Sequence, residues 1–425
     1  MSPVLRRLAA AAVPALRRDA VSAATLAETA AIVESVRTEG EPALRGYAHH
    51  FGELPTPGAP LLLPRAALEA DWHALSAADQ ATLTRATARI TAFAEAQVAA
   101  LGPVTVPIPG GTAALRYAPV ARAGCYAPGG RFPLPSSVLM TVATARAAGV
   151  AEVLCASPRP TRETRAAAWV AGADALLVTG GAHTIAAFAF GAGPIAPVDT
   201  IVGPGNRWVT AAKQLVAGRV GIDMLAGPSE LVVLADASAH PGRVAADLLA
   251  QAEHDPDALP ILLSTDAALL DAVDAALRAQ LATLPTRATA EAACANGFAV
   301  AVATLDEGIA LCDRLAPEHL ALHLAPAALS PTAAALRHYG ALFIGDGAAE
   351  VLGDYAAGPN HTLPTGGTAR SAGALSAATF LRVQTSLRID DLAAAAGIVD
   401  DAVRLARMEG LEAHARAAEA RRTPR

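Results

Sequence analysis

The spacing of apolar positions divides the chain into a helical region followed by two regions of alternating strands and helices. Residues 25–37 and 76–98 carry apolar side chains at helical spacing, so helices are predicted over most of residues 26–100. From residue 120 to residue 236, short β-branched runs alternate with alanine-rich helical stretches. The predicted strands are 152–157, 175–179 and 200–202, and the helices between them are 161–171 and 184–190. Alternation at this spacing is typical of βαβ units and of a parallel sheet that is buried on both faces.

A second series of apolar runs predicts another sheet. Its strands are predicted at residues 230–235, 261–263, 298–302, 320–322 and 341–344. The sequence therefore predicts an α/β fold with two doubly wound parallel sheets, Rossmann-like but incomplete, and a ligand cleft between them. The region from about residue 377 is rich in alanine and arginine and is predicted to be helical, without strands.

These patterns predict how the chain divides into domains. Small helical extensions are expected at both ends, residues 1–25 and the C-terminal arm at residues 377–425. A main α/β domain is predicted from residues 26–122 and 231–376, and a second α/β domain from residues 123–230. Because the arm is too small to bury much apolar surface by itself, it is expected to pack on another surface.

Composition and charge exclude several classes of protein. Apolar residues make up 53% of the 425 residues and aromatic residues only 4%, so the core must consist mainly of alanine, leucine and valine. Lysine and arginine total 33 against 39 aspartate and glutamate, a net charge of −6, and no basic tract offers a nucleic acid its usual footprint. No charge-free apolar stretch of about 18 residues is present, so no membrane span is expected.

The N-terminal segment and the cysteines predict a cytoplasmic protein. The N-terminal apolar run is interrupted by Pro14 and followed by Arg17 and Arg18, which are the wrong flank for an export signal. Four cysteines without a CxxC pair are too few for a disulfide scaffold and are expected to be reduced, mostly core thiols.

Gln251 and His254 lie three residues apart just before Pro256, which must end the helix that carries them. Residues at this spacing share one helix face, and an amide oxygen and an imidazole nitrogen can both bind zinc. A solvated polar helix end would show the same pattern. Asp354, at the end of a strand-like run, can add an anionic ligand, and His414 can add a second imidazole. Taken singly, Asp354 fits a turn residue and His414 fits a surface helix residue.

Two further segments carry candidate chemistry. Gly203-Pro-Gly-Asn206 follows a predicted strand and precedes a helix that begins near Trp208, the place where α/β folds bind phosphate on free amides. The segment lacks the third glycine of GxGxxG, and a tight strand-to-helix turn is the alternative. Glu318 and His319 lie between a predicted helix and a strand, where they either reach into a cleft or form a capping pair.

Seven motifs, in order along the chain, carry a family resemblance. They are residues 128–140, 199–206, 221–230, 251–256 (Gln-Ala-Glu-His-Asp-Pro), 316–320 (Ala-Pro-Glu-His-Leu), 353–365 and 409–414 (Glu-Gly-Leu-Glu-Ala-His), and residues 32–40 also fit. On these motifs the chain resembles the histidinol dehydrogenases. The resemblance implies oxidation of L-histidinol through L-histidinal to L-histidine, with two NAD used per turnover and one zinc ion bound per subunit. It also implies an intertwined homodimer with shared active sites, in which the arm packs on the partner subunit.

The resemblance implies a role for each matching residue. The implied metal ligands are Gln251, His254, Asp354 and His414, the last arriving from the other subunit, and these four also bind substrate. His319 is implied as general base for the alcohol steps and as a substrate contact, and Glu318 as base for hydration of the aldehyde. Further implied substrate contacts are Ser229, His361 and Glu409.

The implied NAD contacts are Tyr126, Asn206 and His183, in the second α/β domain. The family more usually has glutamine at position 183, and a neutral imidazole there can still donate one hydrogen bond. Cys125, next to Tyr126, suggests a thiohemiacetal nucleophile, but no base partner lies near it in sequence, so it is interpreted as a packing residue.

Three alternatives remain beside L-histidinol oxidation. A paralogue would oxidise another polar alcohol, although Glu409 and His414 favour histidinol because they are imidazole-specific groups. A zinc hydrolase would use the metal to activate water and would have no dinucleotide pocket. A non-catalytic binding protein is disfavoured because nearly every polar motif residue is retained.

Overall fold

The structure, a computed structural model, describes residues 3–15, 19–56, 58–129, 133–355 and 357–422. Arg17 and Arg18 of the N-terminal run, residues 130–132 of the first motif and residue 356 of the sixth lie outside these ranges. The helices are α1 Ala23–Glu39, α2 Glu41–His50, α3 Arg65–His73, α4 Ala77–Ala100, α5 Pro135–Ala147, α6 Arg162–Ala171, α7 Gly181–Phe190, α8 Arg207–Val216, α9 Pro241–Ala252, α10 Ala267–Leu281, α11 Arg287–Asn296, α12 Leu305–Leu315, α13 Pro326–Ala335, α14 Glu350–Tyr355, α15 Ala396–Met408 and α16 Glu412–Glu419. The strands are β1 Arg6–Leu8, β2 Leu62–Pro64, β3 Val104–Ile108, β4 Gly111–Pro119, β5 Arg122–Tyr126, β6 Glu152–Ala156, β7 Ala175–Leu177, β8 Thr200–Val202, β9 Gly221–Ile222, β10 Glu230–Ala235, β11 Leu259–Ser264, β12 Phe298–Ala301, β13 His319–His323, β14 Ala341–Ile344 and β15 Leu381–Ile389.

The first sheet is parallel throughout and has the order β1-β12-β11-β10-β13-β14. Alternate residues of β10 contribute to different clusters, Leu231 and Val233 to one and Val232 and Leu234 to the other, so helices cover both faces. This burial confirms the doubly wound arrangement predicted from the unbroken apolar runs. The prediction of a purely helical extension at residues 1–25 is wrong, because β1 adds a parallel edge strand beside β12.

The second sheet has the order β2-β7-β6-β5-β8-β9, and only the pairing of β2 with β7 is antiparallel. It too is buried on both faces, with Cys125 and Cys155 in one cluster and Tyr126 and Leu154 in the other. Where β8 turns into α8, Gly203 has a φ of +116°, and a Cβ there would lie 1.9 Å from the carbonyl oxygen of Tyr126. Only glycine therefore allows this turn to lie against the end of β5.

The predicted domain boundary at residues 122–123 is wrong. Residues 26–122 were grouped with residues 231–376, but β2 pairs with β7, and Val33 and Leu44 are buried with Ile185 of α7. Likewise, Ile90 of α4 is buried in the same cluster as Val138 of α5. The N-terminal helices thus complete the second sheet's domain, because their apolar faces cover its two surfaces.

A third, antiparallel sheet joins the C-terminal arm to the body in the order β15-β4-β3. The arm was predicted to lack strands, and that prediction is wrong. Residues 381–389 alternate apolar and polar side chains at strand spacing, and all nine pair with β4. Beyond β15, α15 and α16 bury a small cluster of their own around Val399 and Val403. None of the helices in the described ranges has both the length and the apolar character needed to cross a lipid bilayer.

Candidate active site

A cavity of about 1550 Å³ lies between the two large sheets. The ends of β5 and β8 line it on the side of the second sheet's domain, at the carboxyl edge where α/β folds usually bind ligands. On the side of the first sheet the lining residues lie at the amino edge of the strands: Ser229 just before β10 and His319 at the start of β13. The predicted site residues that line it are Tyr126, His183, Asn206, Ser229, His254, Glu318, His319, Asp354 and His361.

Three predicted residues do not line this cavity. Gln251 is fully buried near the end of α9. Glu409 and His414 lie in the arm, where both are exposed. A single chain therefore assembles most of the predicted site but not the part that the arm carries.

His254, Glu350 and Asp354 bring ligand atoms within 4.8 Å of one another, as a metal site requires. The helix that carries Gln251 ends at Ala252, so His254 lies just beyond it rather than on it as predicted. Asp354 was expected after a strand-like run, but it lies on the short helix α14, one turn after Glu350. Residues at i and i+4 share a helix face, so both carboxylates reach the same side.

The donor set fits a divalent cation. Among the described residues, neither amide atom of Gln251 nor either carboxylate oxygen of Glu350 has a hydrogen-bond partner, although all four atoms are buried. Buried polar atoms are normally paired, and an unpaired buried carboxylate is costly. Amide oxygen, imidazole nitrogen and carboxylate oxygen are donors that zinc accepts. The residues present can therefore hold zinc.

His319 is buried, and its two ring nitrogens have different surroundings. Nδ1 lies 3.2 Å from the carbonyl oxygen of Glu230, which can only accept, so Nδ1 carries a proton and donates it. Nε2 has no hydrogen bond to the described residues and lies 3.7 Å from a carboxylate oxygen of Asp354. Burial alone would lower the pKa of His319, but the neighbouring carboxylates of Glu350, Glu318 and Asp354 outweigh it and raise that pKa to about 10.

Glu318 lies beside His319 at the start of β13. One of its carboxylate oxygens accepts the backbone N–H of Glu230 at 2.9 Å. Burial raises the pKa of Glu318 above its usual value, although the charge of His319 and the Glu230 N–H act in the opposite direction. A carboxylate with a raised pKa, held at a cavity wall, is suited to accept a proton from water.

The turn after β8 offers fewer free amides than the sequence suggested. The N–H of Gly203 donates to Asp223 at 2.7 Å, and the side chain of Asn206 caps α8 by accepting from Trp208 and Val209 at 3.0 and 3.2 Å. Within the described residues, the backbone N–H groups of Gly205 and Asn206 and the side-chain NH₂ of Asn206 donate no hydrogen bond, so an anion can accept from them. A buried pair of Lys213 and Asp223, which sequence reasoning missed, holds this turn in place.

His183 does not present the hydrogen-bond donor that was expected of it. Its Nε2 lies 2.9 Å from a carboxylate oxygen of Glu53, which only accepts, so the Nε2 proton is already used. Nδ1 is buried without a partner in the described part of the chain, and a neutral imidazole offers it as an acceptor. The ring also stacks against Tyr47 and Phe51, with centroids 5.9 and 5.6 Å away.

Tyr126 is buried beside this pair. Its hydroxyl oxygen accepts the N–H of Gly181 at 3.2 Å, and within the described residues the hydroxyl proton has no acceptor, so it can be donated. Burial raises the pKa of Tyr126 to about 12, so this proton is retained at neutral pH.

Replacing Glu53 tests whether the pair with His183 holds this wall of the cavity. Glu53→Ala should lower the free energy of unfolding by about 1–3 kcal/mol, because the N–H groups of His183 and Gly180 lose their acceptor. Glu53→Gln keeps an acceptor oxygen and should cost less. Denaturant unfolding measures both, with the exposed Glu69→Ala as control. Equal losses for the Ala and Gln variants would contradict the assignment.

His361, Ser229 and Cys125 have distinct surroundings. One ring nitrogen of His361 bonds the carbonyl oxygen of Asp354 at 2.8 Å and the other lies 3.2 Å from the hydroxyl of Ser137, so His361 joins α14 to α5.

Ser229 is partly exposed in the cavity wall. Cys125 is fully buried, and burial raises the pKa of its thiol well above the usual value, which agrees with a packing role.

Sequence reasoning also missed two acids at the site, Glu350 and Glu53. Glu350 had a usable signal, since it lies four residues before Asp354. Glu53 had none, because 130 residues separate it from His183.

Comparisons with known proteins agree with the motifs. The family model for histidinol dehydrogenase matches residues 16–422. The chain is 45% identical to a histidinol dehydrogenase of Thermus thermophilus over 392 residues, which cover 92% of this chain and 93% of that one. It is 46% identical to a histidinol dehydrogenase of Nitratidesulfovibrio vulgaris over 399 residues, covering 92% and 91%. The crystal structure of histidinol dehydrogenase from Elizabethkingia anophelis superposes with a TM-score of 0.91 at 29% identity, covering 99% of this chain and 98% of that chain.

Proposed function

The chain belongs to the histidinol dehydrogenase family, NAD-dependent oxidoreductases of histidine biosynthesis, and we propose that it oxidises L-histidinol in four electrons through L-histidinal to L-histidine. One observation carries this proposal: Glu318 and His319 line the same cavity as Tyr126 and Asn206, two of the residues predicted to contact NAD. Two hydride transfers to NAD and one hydration step account for the overall reaction.

Zinc is the proposed metal, one ion per subunit, held by Gln251, His254 and Asp354 with His414 of the partner subunit. The unpaired amide of Gln251 and the clustering of His254 with Asp354 support the first three ligands. When bound, zinc would act as a Lewis acid toward the nitrogens of the substrate, and the residues that hold it would thereby orient the alcohol carbon. Ser229 and, from the partner subunit, Glu409 are the proposed further substrate contacts. His361 is a further proposed substrate contact, and one of its ring nitrogens bonds the backbone carbonyl oxygen of Asp354.

His319 is the proposed general base of both oxidation steps. Its Nε2 accepts the alcohol proton while hydride leaves the same carbon for NAD, which yields the aldehyde and NADH. The proton on Nδ1 is held by the Glu230 carbonyl, so Nε2 is the nitrogen that can exchange protons. The carboxylates around His319 favour a protonated Nε2, and a cation held by Asp354 would oppose that positive charge and favour the neutral ring that a base requires. His319 can then work as a base near neutral pH.

Glu318 is the proposed base for the step between the two oxidations. It removes a proton from water as the oxygen adds to the aldehyde carbon, giving the hydrate. The hydrate then loses its hydroxyl proton to His319 and its hydride to a second NAD, which yields the acid. The burial that raises the pKa of Glu318 supports this role, because a stronger base removes the proton more readily.

NAD is proposed to bind against Tyr126, His183 and Asn206. The free hydroxyl proton of Tyr126, the NH₂ of Asn206 and the two free amides before α8 suit the hydroxyl and phosphate oxygens of a dinucleotide. With a neutral ring, Nδ1 of His183 accepts a hydrogen bond, and a hydroxyl or amide N–H of the cofactor would be its partner.

A homodimer is proposed because the arm carries Glu409 and His414 away from its own cavity. Large apolar side chains are also exposed on β15 and α15, including Leu387 at 67%, Leu405 at 58% and Met408 at 68% exposed. Exposed apolar surface of this kind marks protein interfaces. A partner subunit seated on the arm would cover these side chains and bring the two polar residues to its own cavity. The cytoplasm is the proposed location, since all four cysteines are buried and free.

Absorbance of NADH on addition of L-histidinol, in the presence of NAD and zinc, tests the proposal. NADH should form, cease to form after chelation, and form again when zinc is restored. A polar amino alcohol without an imidazole should be a poor substrate. Faster oxidation of such an alcohol would favour a paralogue, and an absence of NADH with every alcohol would favour a zinc hydrolase.

A further inference from the structure

His323 is a buried histidine for which neither the motifs nor the proposed reaction provides a role. It ends β13, the strand that His319 begins, and it is 2% exposed. Its Nε2 lies 3.0 Å from a carboxylate oxygen of Asp247, which only accepts, so Nε2 donates its proton there. Its Nδ1 is also buried and lies 3.4 Å from a carboxylate oxygen of Asp346. One imidazole thus lies between carboxylates from two other segments of the chain.

The three segments that meet at this imidazole each carry part of the proposed site. β13 begins with His319, the proposed base. Asp247 lies on α9, the helix that leads to the proposed zinc ligand His254. Asp346 lies between β14 and α14, and α14 carries the proposed zinc ligand Asp354. The imidazole therefore connects the strand of the base with the two segments that carry metal ligands.

α9 covers the face of β13 that presents His323. Ala321, two residues earlier on that face, is buried in one cluster with Leu248 and Leu249 of α9. Apolar burial is non-directional, so it constrains the position of α9 along β13 less tightly than a hydrogen bond, whose donor and acceptor must stay about 2.7–3.2 Å apart. The bond between Asp247 and His323 therefore supplies the constraint along the strand that the apolar contacts supply only weakly.

The other polar contact between these segments is exposed. Arg243, one turn before Asp247 on α9, forms an ion pair with Asp346, and the two side chains are 61% and 39% exposed. Solvent weakens such a pair, whereas the Asp247–His323 bond is buried. Among the described residues that line the cavity, none is Asp247, His323 or Asp346. These residues can therefore affect the reaction only through the groups that they hold in place.

We propose that His323 is a positioning residue of the active site, whose bond to Asp247 holds α9 on β13 so that the zinc ligands stand in a fixed position relative to His319. This inference rests on the proposed function, which places zinc and the base in one cavity. A displacement of about 1 Å at a reacting centre can lower a rate about 100-fold. Loss of the bond should therefore impair both zinc binding and the oxidation itself.

His323→Leu and His323→Gln form the first test. Leucine occupies the space but donates no hydrogen bond, and it should weaken zinc binding by about 10-fold or more, as loss of groups that orient metal ligands does. Competition with a chromophoric chelator measures this affinity on metal-free protein. The visible spectrum at saturating cobalt should also change, and kcat for L-histidinol should fall by about 10- to 100-fold. Glutamine keeps an N–H that can reach Asp247, so His323→Gln should restore most of all three.

A double variant separates position from stability. His323→Leu leaves the carboxylate of Asp247 buried without its donor, which destabilises the fold by itself. Changing both residues to leucine removes that unpaired group and should bring the melting temperature back near wild type. Zinc affinity, the cobalt spectrum and kcat should nevertheless stay as in His323→Leu, because α9 still lacks its fixed position.

Asp71→Leu is the matched control for a loss of stability alone. Asp71 accepts from Arg165 at 2.6 and 2.9 Å and so joins α3 to α6 in the second sheet's domain, away from α9. Its loss should lower the melting temperature and leave zinc affinity and the cobalt spectrum unchanged.

Two results would overturn the inference. One is a double variant that regains wild-type zinc affinity and kcat together with its melting temperature, since His323 would then serve stability alone. The other is His323→Leu with wild-type zinc affinity, cobalt spectrum and kcat. If His254→Asn loses zinc while His323→Leu keeps it, the inference fails and the proposed function stands. If His254→Asn keeps zinc as well, the proposed zinc site is wrong and both fail together.

Discussion

His319→Asn should lower the rate of L-histidinol oxidation by about 10²- to 10⁴-fold, the usual contribution of a general base. Asparagine can keep a hydrogen bond to the Glu230 carbonyl, but it offers no nitrogen that can take a proton. The same loss is expected when the assay begins from L-histidinal, because the hydrate must also give its proton to this residue. Initial rates of NADH formation from each substrate measure the effect, with the exposed His49→Asn as control.

Glu318→Gln provides the contrast that assigns the two roles. Glutamine keeps the volume of the side chain and an acceptor for the Glu230 N–H, but it cannot remove a proton from water. The assay from the aldehyde should therefore lose most of its rate, while aldehyde formation from the alcohol changes much less. Equal losses of Glu318→Gln in the two assays would contradict the division of labour between Glu318 and His319.

A mixture of two inactive chains should regain activity if His414 acts in the partner's site. A dimer of His414→Asn chains lacks the arm histidine in both sites, and a dimer of His254→Asn chains lacks the body histidine in both. In a heterodimer, one site receives both wild-type histidines and the other receives neither. Activity of up to about half of wild type per heterodimer is expected, provided that the chains are co-expressed or refolded together so that subunits can exchange.

The matched control for this experiment pairs two lesions in the body of the chain. A heterodimer of His254→Asn with Asp354→Asn keeps one damaged ligand in each site, so it should stay inactive. Inactive heterodimers of His254→Asn with His414→Asn, with both parents folded and dimeric, would show that His414 does not complete the partner's site. The exposed position of His414 on α16 would then need another explanation.

The apolar pattern predicted the two large sheets well because buried parallel strands are short, unbroken apolar runs. β8, β10 and β14 begin and end at the predicted residues. β15 was not predicted because the high alanine and arginine content of the arm indicates helix, although residues 381–389 alternate apolar and polar side chains. The domain boundary was wrong because the amphipathic pattern of α1–α4 shows that these helices cover a sheet, but not which sheet.

The candidate site was predicted to the extent that its residues lie in recognisable motifs. Glu318, His319, His254 and Asp354 come together in one cavity, as their common motif set led us to expect. The surroundings of each residue could not be predicted, because they depend on contacts between distant segments. The clearest case is Glu53, whose carboxylate engages Nε2 of His183 although 130 residues separate the two.

The most direct test of the central claim is the amount of NADH formed for each L-histidinol consumed. The measurement uses purified protein with zinc and excess NAD, and it follows both compounds to completion. Four-electron oxidation within one site predicts a ratio of two, with L-histidine as the product. A ratio of one, with the aldehyde accumulating, would contradict the proposed sequence of oxidation, hydration and second oxidation.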